Sequence, residues 1–305
     1  MKSFKVVLAL ITQDNDYQRE QASVAEATAK RLGLELRVLY ANGDAIAQTH
    51  QVLAAIHAPV GERPDAIVVE PVGTGMPPVA KAAAQNGVGW VVMNREADYL
   101  TPLRSGTKLP IGSVDCDNVE VGRIQGRQFG ALLPSGGTVL YVEGPATDVS
   151  KQRRAGAEET LPKNIELRTI RGKWTEASGQ EAVGARLQLQ ASQAPSIGLI
   201  GCQNDAMAVG ARKAVEALVS GEHREAWLAV PFTGVDGVPT SGQLWVKQGV
   251  LAATVITPAL TGIALEMLAQ ALQGGTQMPE RTLTKPSSYP PLEQLKHRSP
   301  TGAGG

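Results

Sequence analysis

Aromatic side chains make up only 4% of this chain, so a ring that falls at the end of a strand is more informative than usual. Cysteine is scarcer, with Cys116 and Cys202 alone. That excludes a disulfide-stapled scaffold; it admits one bridge in an oxidising compartment or, as expected here, two buried thiols. Charge of one sign is not in excess: 29 basic residues face 29 acidic ones. The chain therefore lacks the electrostatic footprint of a protein that grips nucleic acid, an anionic membrane or a polyanionic substrate. No apolar run reaches the ~20 residues needed to span a bilayer. The opening MKSFKVVLALI has the basic and apolar parts of a short signal sequence, but it lacks a small-x-small cleavage site and runs into Gln13-Asp14-Asn15-Asp16. A buried first strand is expected there, which leaves a cytoplasmic location open for the chain as it stands.

Catalytic and cofactor motifs are missing too. There is no GxxxxGK[ST], GxSxG, HExxH or CxxC. Gly73-Thr-Gly75 follows an apolar strand, yet the third glycine of a dinucleotide loop is absent and Pro77-Pro78 stands near its place. His50, His57, His223 and His297 fall in predicted helices or loops away from strand ends, so neither a triad nor a zinc site has a starting point. Asp115 and Asp117 are spaced like a carboxylate pair, but Asp117 just before Val119 reads as a helix N-cap. The expectation is a non-enzyme with no cofactor and no metal.

What the sequence does contain is a regular alternation. Phe4 to Ile11 is a continuous apolar run of the kind buried on both faces of a parallel sheet. Ala22, Ala25, Ala29 and Leu32 recur at helical spacing, and Gly33 ends that helix. Strands are then predicted at Leu34–Tyr40, Ala66–Val69 and Gly89–Met93, with helices at Ala45–Ile56 and from Pro77 to Ala84. A turn-rich loop covers Glu96 to Pro110, and the rhythm restarts at Ile111 with a strand leading into the helix Val119–Leu132. Further strands are predicted at Thr138–Val142, Glu166–Ile170, Ile197–Ile200, Ala226–Val230 and Ala252–Ile256. Helices are predicted at Arg153–Leu161, Ser178–Ala191, Ala206–Ser220 and Thr261–Leu272. Such βα repeats give parallel sheets covered by helices on both faces. At 305 residues, with about 150 residues to a domain, two doubly wound α/β lobes with a cleft are expected.

In such sheets ligands sit beyond the carboxyl ends of the strands. The residues at those ends are Gln13, Asn15, Tyr17 and Gln18 after the first strand, and Asn94 with Arg95 after the fourth. The second half adds Lys151, Trp174, Asn204 within Gln203-Asn204-Asp205, and Asp236 in Gly234-Val-Asp236-Gly237. Amides, a carboxylate and cations bind hydroxyls, and rings cover the apolar face of a sugar. Asn204 is expected to contact ligand, and Asp205 to cap the following helix or to serve as a hinge-side hydrogen-bonding group.

Four stretches carry a family resemblance that extends over nearly the whole chain: LALITQDNDYQREQ, VGWVVMNRE, CQNDAMAVGARKAVEAL, and FTGVDG followed by GVLAATVITP. Through them the chain resembles the type I periplasmic binding proteins, in particular the ribose and other sugar binders. The resemblance implies that Asn15, Tyr17, Asn94 and Arg95 contact ligand from one lobe, and Lys151, Trp174, Asn204, Asp236 and Thr257 from the other. Lys151 stands where the family has an arginine, Thr257 where glutamine is common, and Gln18 in place of a second aromatic, so a pocket more polar than a ribose site is implied. It also implies a three-crossing hinge, with residues 1–113 and 258–283 in the first lobe, 114–257 and 284–292 in the second, and a disordered tail over 293–305. The implied role is hinge closure on a sugar or polyol and its delivery, by a monomer outside the cytoplasm, to an ABC permease or membrane receptor. A ligand sensor coupled to a signalling kinase is the alternative. A lac-repressor-like regulator fits less well, since only three residues precede the first predicted strand and no helix-turn-helix fits there.

Overall fold

The computed structural model describes residues 3–95, 97–188 and 194–295. They form two compact units. The first comprises residues up to Cys116 together with Ala259–Thr284; the second comprises Asp117–Pro258 and the residues from Lys285 onward. The expected features at residues 1–2 and 189–193, His297, and all of the tail beyond Leu295 lie outside the described residues.

In the first unit the strands are β1 (Lys5–Leu10), β2 (Glu35–Tyr40), β3 (Ala66–Val69), β4 (Gly89–Met93), β5 (Ile111–Cys116) and β11 (Arg281–Thr284). They line up in the order β11-β5-β4-β3-β1-β2, every pair parallel. Alternate side chains of β1 serve opposite faces, as the two-residue period of a strand requires. Val6, Leu8 and Leu10 join α1 (Asp16–Leu32) and α11 (Leu260–Gly274) in one core. Val7 and Ala9 join α2 (Ala45–Ile56) and α3 (Met76–Gln85) in the other, with Ile67, Val69 and Trp90. Both cores exclude water at β1, and each fully buried Val or Leu contributes roughly 1.5–3 kcal/mol. The chain returns to this unit through α11, where Thr261 N donates to Gln21 Oε1 at 3.0 Å and Thr261 Oγ1 donates to Gln21 O at 2.7 Å. The loop expected at Glu96–Pro110 contains one short helix, α4 (Leu100–Arg104), whose Leu100 is buried.

In the second unit the strands are β6 (Gly137–Glu143), β7 (Ile165–Arg171), β8 (Leu199–Cys202), β9 (Phe232–Asp236), β10 (Ala253–Ile256) and β12 (Ser287–Tyr289). Their order is β12-β10-β9-β8-β6-β7, with β12 antiparallel to β10 and the remaining pairs parallel. One face is covered by α7 (Glu176–Leu187), α8 (Asp205–Leu218) and α9 (Arg224–Ala229) through Val183, Met207, Ala211, Val215 and Trp227. On the other face Phe129 of α5 (Asn118–Leu132) meets Tyr141 edge-on, with ring centroids 5.8 Å apart. The remaining helices are α6 (Asp148–Thr160), α10 (Gly242–Lys247) and α12 (Leu292–Leu295), the last lying where the start of the tail was expected.

One predicted strand is wrong. Ala226–Val230 is not extended: Arg224–Ala229 is a helix that buries Trp227, and the strand starts after Pro231, at Phe232. Proline has no N–H to give to a ladder, which places it just ahead of the strand. Cys116 and Cys202 are both buried and neither is in a disulfide, and Asp117 does cap α5, its side chain accepting from Glu120 N at 2.9 Å.

Candidate functional site

At the carboxyl edge of the first sheet the chain leaves β1 and turns into α1 through Asn15. This residue is extended (φ −127°, ψ 159°), and its side chain accepts from Gln18 N at 2.9 Å. Tyr17 is half-buried and Gln13 is exposed. Gln18 is turned inward and buried. Its Oε1 accepts from Ile11 N at 3.2 Å and its Nε2 donates to Glu70 Oε2 at 2.8 Å. From the end of β4, Asn94 Nδ2 donates to the other oxygen, Glu70 Oε1, at 2.9 Å. Arg95 is half-buried, and its Nη2 donates to Pro71 O at 3.3 Å.

Glu70, directly after β3, is the residue that sequence reasoning missed. It is 4% exposed and is the hub of this edge. Its backbone is fixed as well: Gln48 of α2 donates to Glu70 O at 2.8 Å and accepts from Val72 N at 2.9 Å. Burial pushes the Glu70 carboxyl up, against the hydrogen bonds from Asn94 and Gln18 and the nearby Arg95; Asp115, buried at the end of β5, adds to the rise.

At the carboxyl edge of the second sheet Trp174 follows β7 and is half-buried. A methyl built on Gly144 would stand 2.1 Å from its ring, so the indole lies where only glycine leaves room. The Arg153 guanidinium sits 5.7 Å from the ring centroid, within cation–π range. Arg153 is 5% exposed and already engaged, donating from Nε to Asn118 Oδ1 at 3.0 Å and from Nη1 to Gln203 O at 2.5 Å. The other cation of α6, Lys151, was the one singled out from sequence. Its side chain is 70% exposed and its Nζ stands 3.5 Å from Asp148.

In the triplet after β8, Asp205 takes the second of its two expected roles, a hydrogen-bonding group rather than a cap. Gln203 is fully buried, accepting from Gly144 N and donating to Ser150 O, both at 3.0 Å. The N-cap of α8 is Asn204, not Asp205: Asn204 Oδ1 accepts from Met207 N and Nδ2 donates to Trp174 O, both at 2.9 Å. Asp205 is a bracket across two strands. Its Oδ2 accepts from Gly237 N at 2.8 Å and its Oδ1 from Thr254 Oγ1 at 2.7 Å. Gly234 and Gly242 leave room for that carboxylate; a methyl on either would come within 2.1 Å of its oxygens. The bracket closes immediately after Asp236, whose carbonyl accepts from the N–H of the buried Thr257 at 3.1 Å.

Among the described residues four that are not glycine have positive φ: Asn42, Asn94 (55°), Trp174 (66°) and Asp236 (111°). Left-handed backbone costs an ordinary residue roughly 1–3 kcal/mol and persists only where the surroundings impose it. Three of the four are residues expected to contact ligand, and they lie at the carboxyl ends of β4, β7 and β9. No group of three or more potential metal ligands occurs among the described residues, and no described helix is long and apolar enough to cross a membrane.

Known proteins supply the context. The galactofuranose-binding protein YtfQ of Escherichia coli K12 is 24% identical over 303 residues, covering 96% of this chain and 90% of its own. The D-apiose import binding protein of Paraburkholderia graminis is 26% identical, covering 91% and 85%. A periplasmic solute-binding protein of an Actinobacillus succinogenes ABC transporter, solved with D-allose, superposes with a TM-score of 0.81 at 24% identity over 97% of this chain and all of its own. The periplasmic binding protein domain family matches residues 6–276, and with its two doubly wound α/β sheets this chain belongs to that family of binding proteins.

Proposed function

We propose that this protein binds a small polyhydroxyl solute, a sugar or sugar-like molecule, at the carboxyl edges of its sheets, and hands it to the permease of an ABC importer. It acts as a monomer outside the cytoplasm and performs no chemistry on the ligand. The observation that carries this reading is the backbone strain at Asn94, Trp174 and Asp236, all at strand ends where such folds hold ligands. Strain of this kind is retained where it aims a side chain. The side chains themselves fit the role: the Arg95 fork spans neighbouring oxygens, Trp174 offers a flat apolar face, and Asp236 accepts from hydroxyls. The relatives point the same way, since their names record a furanose, a branched pentose and an aldohexose.

A panel of pentoses, hexoses, inositols and furanoses, read by thermal shift and tryptophan fluorescence, tests the reading. At least one member will stabilise the protein saturably, because ligand that binds only the native state adds RT ln(1 + [L]/Kd). Arg95→Ala and Asp236→Ala will each weaken that binding by about 10- to 100-fold, the worth of a hydrogen bond to a charged group. No response anywhere in the panel overturns the reading.

A further inference from the structure

We propose that Glu70 sets the hydrogen-bond polarity of the first unit's carboxyl edge, so that this edge takes neutral polyhydroxyl ligands and discriminates against their carboxylate and phosphate counterparts. The inference deepens the polyhydroxyl reading above and rests on it. Each Glu70 oxygen receives an amide nitrogen, Oε1 from Asn94 at 2.9 Å and Oε2 from Gln18 at 2.8 Å. An ionised carboxylate only accepts, so the orientation of both amides is dictated by their partner. Gln18 is fixed a second time, because its Oε1 takes the Ile11 N–H at 3.2 Å. Asn94 has no such second anchor on its side chain. With Nδ2 committed to Glu70, its Oδ1 takes no other partner among the described residues.

The atom of Asn94 left for a ligand is therefore an acceptor, on a side chain whose Glu70 partner also lies within electrostatic reach of a donor, the Arg95 guanidinium. An acceptor next to a donor suits adjacent hydroxyls, each of which can give or take a hydrogen. It suits a carboxylate or phosphate poorly, since their oxygens can only accept and would meet Asn94 Oδ1 lone pair to lone pair. Charge works in the same direction. Glu70, which lies within electrostatic reach of the Arg95 guanidinium, is also close enough to feel a second buried carboxyl, Asp115 of β5. Arg95 thus has two buried acids in its vicinity, Glu70 and, around Glu70, Asp115, which offset its attraction for an anion. With glutamine at position 70, one amide of the cluster would have to meet another nitrogen. Gln18 is anchored, so Asn94 is the side chain that turns over, presenting its NH2 outward and converting the acceptor into a donor.

The experiment compares wild type with Glu70→Gln on matched probes: D-galactose with D-galacturonate, D-glucose with D-glucuronate, D-ribose with ribose 5-phosphate, and myo-inositol and D-allose as further neutral probes. Calorimetry gives the affinities. Nitrogen-15 spectra of the side-chain amides, assigned by difference against Asn94→Ala and Gln18→Ala, report the cluster without any ligand. Wild type should prefer a neutral probe to its acid partner. In Glu70→Gln that preference should shrink by about 10-fold or more, the ordinary consequence of mispairing one polar group. The Asn94 amide resonances should move while the Gln18 resonances stay close to their wild-type positions. Unchanged Asn94 resonances, or an unchanged neutral-to-acid ratio, overturn the proposal. A wild type that binds no probe at all overturns the polyhydroxyl reading and the specificity with it, while the amide spectra still decide whether Glu70 holds Asn94.

Discussion

Replacing Asp205 by asparagine changes one oxygen into NH2 and little else in shape, which isolates the bracket's chemistry from its volume. In the native protein both oxygens are used: Oδ2 receives Gly237 N at 2.8 Å and Oδ1 receives Thr254 Oγ1 at 2.7 Å, with the residue 3% exposed. Asparagine can keep one acceptor only. The other contact becomes nitrogen against donor, or the Thr254 hydroxyl turns away. One hydrogen bond to a charged group is lost, worth roughly 1.5–3 kcal/mol, and a buried donor is left unpaired at about 1–3 kcal/mol. The expected destabilisation is therefore about 2.5–6 kcal/mol. Rotation of the amide away from the strands has no easy outlet, because Gly234 and Gly242 close on the carboxylate from either side. Urea unfolding of wild type, Asp205→Asn, Thr254→Val and the double variant gives the coupling directly, and the double-mutant cycle should return at least 1 kcal/mol between the two positions. A loss below about 1 kcal/mol for Asp205→Asn, with no coupling to Thr254, would refute the claim that this carboxylate ties β9 to β10.

Other substitutions have separable outcomes. Gly210→Ala places a methyl 1.9 Å from Glu176 O, well inside the 3.4 Å at which ordinary contact begins. The α7–α8 crossing must open, at a cost of roughly 1–3 kcal/mol or more, seen as a lowered urea midpoint. Lys151→Ala should change stability by less than about 0.5 kcal/mol, since an exposed pair at 3.5 Å is worth little; a larger shift in urea unfolding would refute this, and a loss of affinity for the best sugar would support Lys151 as a ligand contact. Glu70 predicts a pH dependence. Burial raises its folded pKa above the ordinary 4.5, so the unfolded chain loses this proton first and stability falls as pH rises from about 4.5 through the folded value. Glu70→Gln should flatten that part of the stability curve, measured by urea unfolding across the acid range, and an unaltered slope would refute the assignment.

Much of the fold was legible because the apolar runs and glycine stops are local. The run Phe4 to Ile11 reads as a strand buried on both faces, and the strand found within it, Lys5–Leu10, does serve two cores. Ala226–Val230 misled because Ala-Trp-Leu-Ala-Val is apolar and follows a predicted helix, with nothing local to show that Trp227 is buried by a further turn of helix. The true strand, Phe232–Asp236, was masked by Gly234, which is there to admit Asp205 rather than to build a ladder. In the candidate site the exposed ends of strands could be read, but not the division of labour among them. Asn204 and Asp205 are equally good caps by composition. The choice is made by Gly237 and Thr254, 32 and 49 residues from Asp205 in sequence. Glu70 is likewise one acid after one strand until Asn94 and Gln18, 24 and 52 residues away, are seen to donate to it.

The glycines at the helix crossings bear on how such a protein changes its ligand. A methyl on Gly122 would stand 2.0 Å from Arg153 O, one on Gly156 2.0 Å from Val119 O, and one on Gly179 2.3 Å from Met207 O. These contacts are backbone to backbone, so the spacing of α5 with α6 and of α7 with α8 is independent of side-chain identity at the strand ends. Exchanges at the proposed contacts Trp174, Asp236 or Thr257 therefore leave these backbone contacts in place, whereas a single methyl at a crossing pushes the two helices of that pair apart. The helix spacing is written in glycines that bear no side chain, apart from the residues at the strand ends.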